Sequence, residues 1–372
     1  MKAVGIVLAG GHTHRMKELT NTRAIAAMPI AGSFRAIDFV LSNMSNSHVQ
    51  KVGVITQFNA ASLQKHLSSS KWWDFGRKQG GLTVFTPNMT PDNSQWFRGT
   101  ADAIYQNIGY LKESHEPYVI ISSGDCVYKM DYNALLEYHI DKQADVTVVV
   151  KDMEQGAPIE RYGTIKMNEE ARITDFEEKP VLAKSNTISC GIYVIRRRLL
   201  IEMIEKCAEE DQYDFVRDIL IRYRDVKRIF GYKLKTYWRN IASVDDFFQT
   251  NMDFLKADVR DFFFKQYPHI STKIDDLPPA KYNHGVKIEN SLIASGSIIN
   301  GTVENSVVFK NAFVGNGSVI RNSIILNDVY IGNNVTIENC IVESRSTVPE
   351  NSYYRGEGDI RIVTERGNRY II

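Results

Sequence analysis

Between residues 286 and 348 the chain repeats itself. The stretch "VKIENSLIASGSIINGTVENSVVFKNAFVGNGSVIRNSIILNDVYIGNNVTIENCIVESRSTV" places Ile or Val every five or six residues, separated by Asn, Gly and Ser. Val-Gly and Ile-Gly pairs recur at 314–315 and 331–332. A unit this short cannot bury an apolar face alone, so successive units must stack. Asn and Gly tolerate the left-handed backbone of tight corners. The pattern predicts a parallel β-helix over 286–372. An ordinary β-sandwich would need longer strands.

The first 255 residues have another rhythm. "AVGIVLA", "KVGVITQF", "YVIISS" and "ADVTVVV" read as buried parallel strands. "SFRAIDFVLSNMSNS", "TADAIYQNIGYLKES" and "DYNALLEYHIDKQ" read as helices between them. The alternation predicts an α/β domain with a mostly parallel sheet, with ligands at the carboxyl ends of its strands. Residues 256–285, with three prolines and little periodicity, read as a linker.

Composition narrows the function classes. Lys+Arg total 45 against 44 for Asp+Glu, so no strong field draws the chain to nucleic acid or a membrane surface. Cys126, Cys190, Cys207 and Cys340 form no CxxC pair, which fits a reducing cytoplasm rather than a disulfide or zinc framework. No signal peptide and no apolar run of membrane-spanning length is present in the 372 residues.

Four short segments carry the chemistry. After the first strand, Leu8-Ala9-Gly10-Gly11 opens a loop that continues His12-Thr13-His14-Arg15. It is neither GxGxxG nor a P-loop, so it reads equally as a tight turn or a phosphate site. His12 and His14 form a potential metal pair that lacks further ligands. In "SSGDCVYKMD", Asp125 stands at a strand's carboxyl end, suited to one Mg²⁺ carboxylate or to a helix cap. In "DFEEKP", Glu178 and Lys179 can bind sugar hydroxyls and a phosphate, or can be a plain charge run. In "WFRGTADAIYQN", Gly-Thr-Ala marks a helix start whose N–H groups favour anions, or a simple cap.

In this order the segments resemble the glucose-1-phosphate adenylyltransferase (ADP-glucose pyrophosphorylase) family, whose landmarks GGxGTRL, RAKPAVPFGGKYRIIDF, WYRGTADA, FxEKP and YWRDVGT are recognisable over nearly the whole chain. The resemblance implies a Rossmann-like nucleotidyltransferase domain, a left-handed β-helix after PPAKY, homo- or hetero-tetrameric assembly and a place in glycogen synthesis. It implies ATP at the loop and Mg²⁺ at Asp125 and the position of Asn240. It also implies glucose 1-phosphate at Phe97, Gly163, Glu178, Lys179, Ser189 and Gly191.

The departures from the family pattern lie at the catalytic positions. Thr13 replaces a family glycine, and a β-branched residue enters positive φ poorly. Ile25 and Ser33 replace basic residues. Phe97 lacks the family tyrosine's hydroxyl, and Ala242 replaces a glycine. Asn240 replaces the second metal carboxylate, while Arg15 and Asp125 are kept, so Mg²⁺ binding is expected to be weak. Adenylyl transfer depends on positioning and on cationic stabilisation of developing charge. Losing one such contact costs about 100- to 1000-fold. The chain therefore resembles the non-catalytic regulatory subunit of this family, paired with a catalytic subunit or with itself. The alternatives are an active adenylyltransferase with an altered loop, a scaffold binding no ligand, and a β-helix acyltransferase. The last needs a histidine base, and none follows His284.

Overall fold

The computed structural model describes residues 2–76, 80–89 and 95–365. Its first domain is built on a nine-stranded sheet. The strands are β1 (Ala3–Leu8), β2 (Lys51–Ile55), β3 (Gly81–Phe85), β4 (Tyr118–Ser123), β5 (Val146–Asp152), β6 (Gly163–Met167), β7 (Ile173–Glu178), β8 (Thr187–Arg196) and β9 (Ile229–Lys233). The order runs β7-β6-β8-β4-β1-β2-β3, with β5 on the other side of β8 and β9 beyond β5. β4, β1, β2 and β3 are parallel, with Ile6 opposite both Gly53 and Ile121.

β1 is apolar along its length because both faces are covered. Ala3 and Val7 pack toward Ile37, Val40 and Met44 of the helix Ala36–Asn46. Val4 and Ile6 pack toward Leu200, Met203 and Ile204 of the helix Arg197–Glu209 on the opposite face. Two details differ from the sequence expectation. "ADVTVVV" forms β5, buried and parallel to β9 as expected, but it reaches the other parallel strands through β8, antiparallel to both β5 and β4. The sheet is therefore mixed. "TADAIYQNIGYLKES" divides into Thr100–Tyr105 and Ile108–Lys112.

The second domain is a three-sided parallel β-helix of three five-stranded sheets. Val303, Ile320 and Ile337 stack in register and are fully buried. Corners fall on Asn305 (φ 45), Asn322 (φ 42) and Asn339 (φ 53). Their amides form a ladder, each donating to the next coil: Asn305 Nδ2 to Asn322 Oδ1 at 3.0 Å and Asn322 Nδ2 to Asn339 Oδ1 at 3.1 Å. At Gly315 a Cβ would lie 2.4 Å from the Gly332 carbonyl oxygen, so coil stacking there requires glycine.

One face of the β-helix packs on the first domain. Val307, Ile324 and Ile341 join a single apolar cluster with Met16, Leu19, Phe39, Phe247 and Phe254. Residues 256–285, expected as a linker, are tied down at several points. They begin with the helical segments Ala257–Arg260 and Asp261–Lys265, and Phe263 inserts fully buried into the same cluster. Farther on, Ser271 N donates to Ser42 Oγ at 2.9 Å, and its carbonyl accepts from Trp73 Nε1 at 3.1 Å. An aromatic ring can fill a void that prolines and polar residues around it do not announce. Among the described residues, no helix is long and apolar enough to cross a membrane.

Phe263→Ala leaves a ring-sized cavity at this junction. It should lower stability by about 3–5 kcal/mol. Urea unfolding followed by tryptophan fluorescence checks this, and a change below about 1 kcal/mol would remove Phe263 from its central place.

Candidate functional site

β1 delivers Leu8 and the glycine loop to the carboxyl edge of the sheet. Ala9 N donates to the Ile55 carbonyl at 2.8 Å, and Gly124 N to the Leu8 carbonyl at 2.9 Å, so the loop lies between β2 and the Gly124-Asp125 turn. Thr13 does not need glycine's freedom: it is extended, at φ −146° and ψ 133°. The strain expected there is absent. Instead Thr13 caps the 3₁₀ turn His14–Thr20, its Oγ1 accepting from Arg15 N at 3.3 Å and Arg15 Nε at 3.5 Å. Thr13 thus takes two of the Arg15 donors, while no hydrogen bond engages the main-chain N–H groups of Gly10, Gly11 and His12 among the described residues. His12 packs edge-on to His14, ring centroids 5.0 Å apart, and tilts over Phe58 at 5.4 Å. No third metal-ligating side chain joins these histidines among the described residues.

Two adjoining cavities share Leu8, Gly11 and Thr100. The larger, about 490 Å³, is walled by Gly10, His12, Gln57, Phe58, Phe97 and Arg98. Gln57 clasps the Phe97 peptide, accepting from its N–H at 3.1 Å and donating to its carbonyl at 3.3 Å. Phe97, expected beside the sugar phosphate, thus belongs to the loop side. The helix start at Thr100 is also committed. Ala101 N donates to the Tyr213 carbonyl at 2.8 Å, and Asp102 N points to the same oxygen at 3.4 Å. Those N–H groups are not free for an anion.

The smaller cavity, about 190 Å³, contains Asp125, Ser123, Gly191, Tyr193 and the apolar Ile25. A two-strand ladder, Cys126–Tyr128 against Trp238–Asn240, sets Asn240 opposite Cys126, next to Asp125. The two positions that the family resemblance assigns to the metal are therefore brought together. Asp125 Oδ1 accepts from Ser123 Oγ at 2.5 Å and Cys126 Sγ at 3.5 Å. Asn240 Nδ2 donates to Cys126 Sγ at 3.4 Å. Burial holds the Cys126 thiol well above its usual range, so it is a neutral partner. Mg²⁺ favours hard oxygen donors and usually one or two carboxylates. One carboxylate already engaged by a hydroxyl, beside an amide that donates, fits that ion poorly.

The other residues expected to bind the sugar phosphate lie on or directly after neighbouring strands of the sheet. Gly163 packs so closely that a Cβ would meet Phe176 Cε2 at 2.6 Å and Glu178 Oε2 at 2.9 Å. Glu178 is 15% exposed, and burial pushes its carboxyl upward against the opposing pull of Lys179. Lys179 Nζ lies 3.4 Å from Glu178 Oε1. Ser189 Oγ is 3.3 Å from the Tyr193 hydroxyl and accepts from Gly191 N at 3.3 Å. Gly191 (φ 70) stands where β8 shifts register against β5.

Two expected positions lie elsewhere. Ser33 sits in the turn after Ala31 (φ 50) and Gly32 (φ 80), where a Cβ on Gly32 would be 3.5 Å from Ala294 of the β-helix. It lines neither loop cavity. Arg15 also lines neither, facing a third cavity with Lys179. Ile25, 5% exposed, is as much a part of the domain junction as of the smaller cavity. Gln57 and Tyr193 were not singled out from the sequence. Both follow from position: Gln57 lies two residues past the end of β2, and Tyr193 two residues past Gly191.

Comparison with known proteins agrees with this architecture. A nucleotidyl transferase family model matches residues 4–257, and a GlmU-like C-terminal hexapeptide model matches 278–354. The chain is 36% identical over 323 residues to the glucose-1-phosphate adenylyltransferase of Geobacillus stearothermophilus, covering 86% of this chain and 83% of that one. It is 37% identical over 322 residues to the enzymes of that name from Bacillus cereus (strain ATCC 10987 / NRS 248) and Bacillus anthracis, covering 86% of this chain and 85% of each.

Because the Glu178 carboxyl is raised, the folded chain binds that proton more tightly than the unfolded chain does. The group therefore costs stability as pH rises through the carboxylate range, and the cost disappears on acidification. Glu178→Gln should gain stability relative to wild type between about pH 4 and about pH 7. Urea melts across that range check the sign; parallel pH profiles would refute it.

Proposed function

This chain belongs to the glucose-1-phosphate adenylyltransferase family, and on that premise we propose that it is a regulatory, catalytically deficient subunit. In this reading it modulates a catalytic partner that makes ADP-glucose and pyrophosphate from ATP and glucose 1-phosphate. The two would assemble in a cytoplasmic hetero-tetramer serving glycogen synthesis. The observation that carries the reading is the Asn240 amide beside Asp125, donating to Cys126 where the family resemblance implies a second carboxylate.

The loop supports the same conclusion. The transferring phosphates need cations and free N–H donors aimed at developing charge. Here Thr13 engages Arg15, Ile25 presents an apolar wall, and the helix start at Thr100 is occupied by the Tyr213 carbonyl. On the other side the equipment for a sugar phosphate is present. Glu178 and Ser189 can take hydroxyls, and Lys179 can take a phosphate. Glucose 1-phosphate should therefore bind more tightly than ATP. An assembly role requires an intact fold around a weakened site, and both domains and their junction carry buried apolar cores.

Pyrophosphate release measured on the purified chain alone should be slight. Added to a catalytic subunit, the chain should change that subunit's rate or its response to effectors. Asn240→Asp with Thr13→Gly should recover Mg²⁺-dependent turnover, by up to about 100-fold. Ile25→Lys should not help, since it places a charge in the packed junction. Robust turnover by the wild-type chain alone, with no kinetic change on mixing, would establish the opposite reading, an active adenylyltransferase.

A further inference from the structure

The cavity that Arg15 faces is larger than either loop cavity, about 910 Å³, and opens where the two domains meet. Its walls bring Arg15 and Lys179 together with Asp245 and Glu160, and the β-helix contributes Gly358 and Ile360. Arg15 is turned this way by its neighbours. Thr13 Oγ1 accepts from both its main chain and its Nε, and Met16, the next residue, is fully buried in the junction cluster.

The charges around this cavity are unequally committed. Arg161 is clamped by Asp246 through two bonds of 2.6 and 2.8 Å, so it offers no free fork. The Lys179 side chain is 59% exposed, its ammonium 3.4 Å from one Glu178 oxygen. No carboxylate pairs with Arg15 among the described residues. Asp245 and Glu160 would repel a phosphate from their part of the wall. Of the three cations lining the cavity, Arg15 and Lys179 are thereby the ones left for an anion, and Lys179 adjoins Glu178.

We propose that Arg15 serves the sugar phosphate rather than the nucleotide, holding the phosphate dianion jointly with Lys179 while Glu178 and Ser189 hold the sugar. This rests on the reading that the Glu178 side binds glucose 1-phosphate. A guanidinium fork gives a phosphate two parallel charged bonds, and the ammonium adds a point charge. The arginine of the family's nucleotide loop has thus changed ligand because the loop around it was rebuilt. The bound phosphate would also lie against the cavity that the last β-helix turns help to close, so occupancy couples the sugar site to the second domain.

Calorimetry on the full chain tests this with four probes: glucose 1-phosphate, glucose, inorganic phosphate and ATP. Arg15→Ala should weaken glucose 1-phosphate by about 10- to 100-fold, the worth of a charged hydrogen-bonded contact. Its affinities for glucose and ATP should match wild type, and Arg15→Lys should restore part of the loss. Inorganic phosphate should lose affinity in the same variant, showing that the phosphate alone is read there. Equal glucose 1-phosphate affinity in wild type and Arg15→Ala overturns the assignment but leaves the sugar-phosphate site standing. A loss confined to ATP returns Arg15 to the nucleotide and also overturns it. Failure of the wild-type chain to bind glucose 1-phosphate overturns both. Equal melting temperatures confirm that Arg15→Ala folds, since Arg15 is exposed.

Discussion

The apolar cluster at the domain junction governs the structure. It joins Met16, Leu19, Ile25 and Met28 of the first domain to Phe247, Phe254 and Phe263, and these to Val307, Ile324 and Ile341 of the β-helix. The segment after the glycine loop is thus one wall of an interdomain core. A loop whose downstream residues are fixed by packing cannot adjust freely to a phosphate. Met16 and Leu19 are fully buried, so the 3₁₀ turn between them and Thr13 is held from one end.

That constraint gives the altered residues a common setting. Ile25 is apolar where a cation would be desolvated against the junction. Thr13 fits because the backbone there is extended, and its hydroxyl then supplies the cap that the turn requires. Arg15 follows the turn toward the junction cavity. The expected nucleotide side is thus partly committed: Thr13 takes two Arg15 donors, and the Tyr213 carbonyl takes the N–H groups of the helix start. At the proposed sugar side, Glu178 stays partly desolvated beside Lys179, and a low local dielectric strengthens polar interactions there.

The second domain contributes more than a scaffold. Its three faces differ. One packs on the first domain through Val307, Ile324 and Ile341. A second carries a ladder of alternating charge, with Glu304 between Lys287 and Arg321 at 2.9 and 2.7 Å. The third carries Phe313 stacked on Tyr330, centroids 4.8 Å apart. Because coils stack in register, each face presents one column of side chains, and a column can be specialised without disturbing the buried one.

The sequence by itself determined the two rhythms. The near-continuous apolar run of β1 and the Asn-punctuated repeat of 286–348 are local patterns, and periodicity reports which faces are buried. It also placed Asp125 and Asn240 as suspects, and the ladder pairing Asn240 with Cys126 brings them side by side. Only the tertiary structure decided the rest. β8 runs antiparallel and makes the sheet mixed, since strand direction depends on partners distant in sequence. Phe263 turns a supposed linker into part of the core, since a ring's burial depends on what surrounds it. Thr13, Ser33, Phe97 and Arg15 were read by family position as parts of one site. The fold leaves Ser33 outside both loop cavities, ties Phe97 to Gln57 and turns Arg15 to the cavity that Lys179 also lines, because the direction of a loop side chain is set by long-range packing that no local pattern encodes.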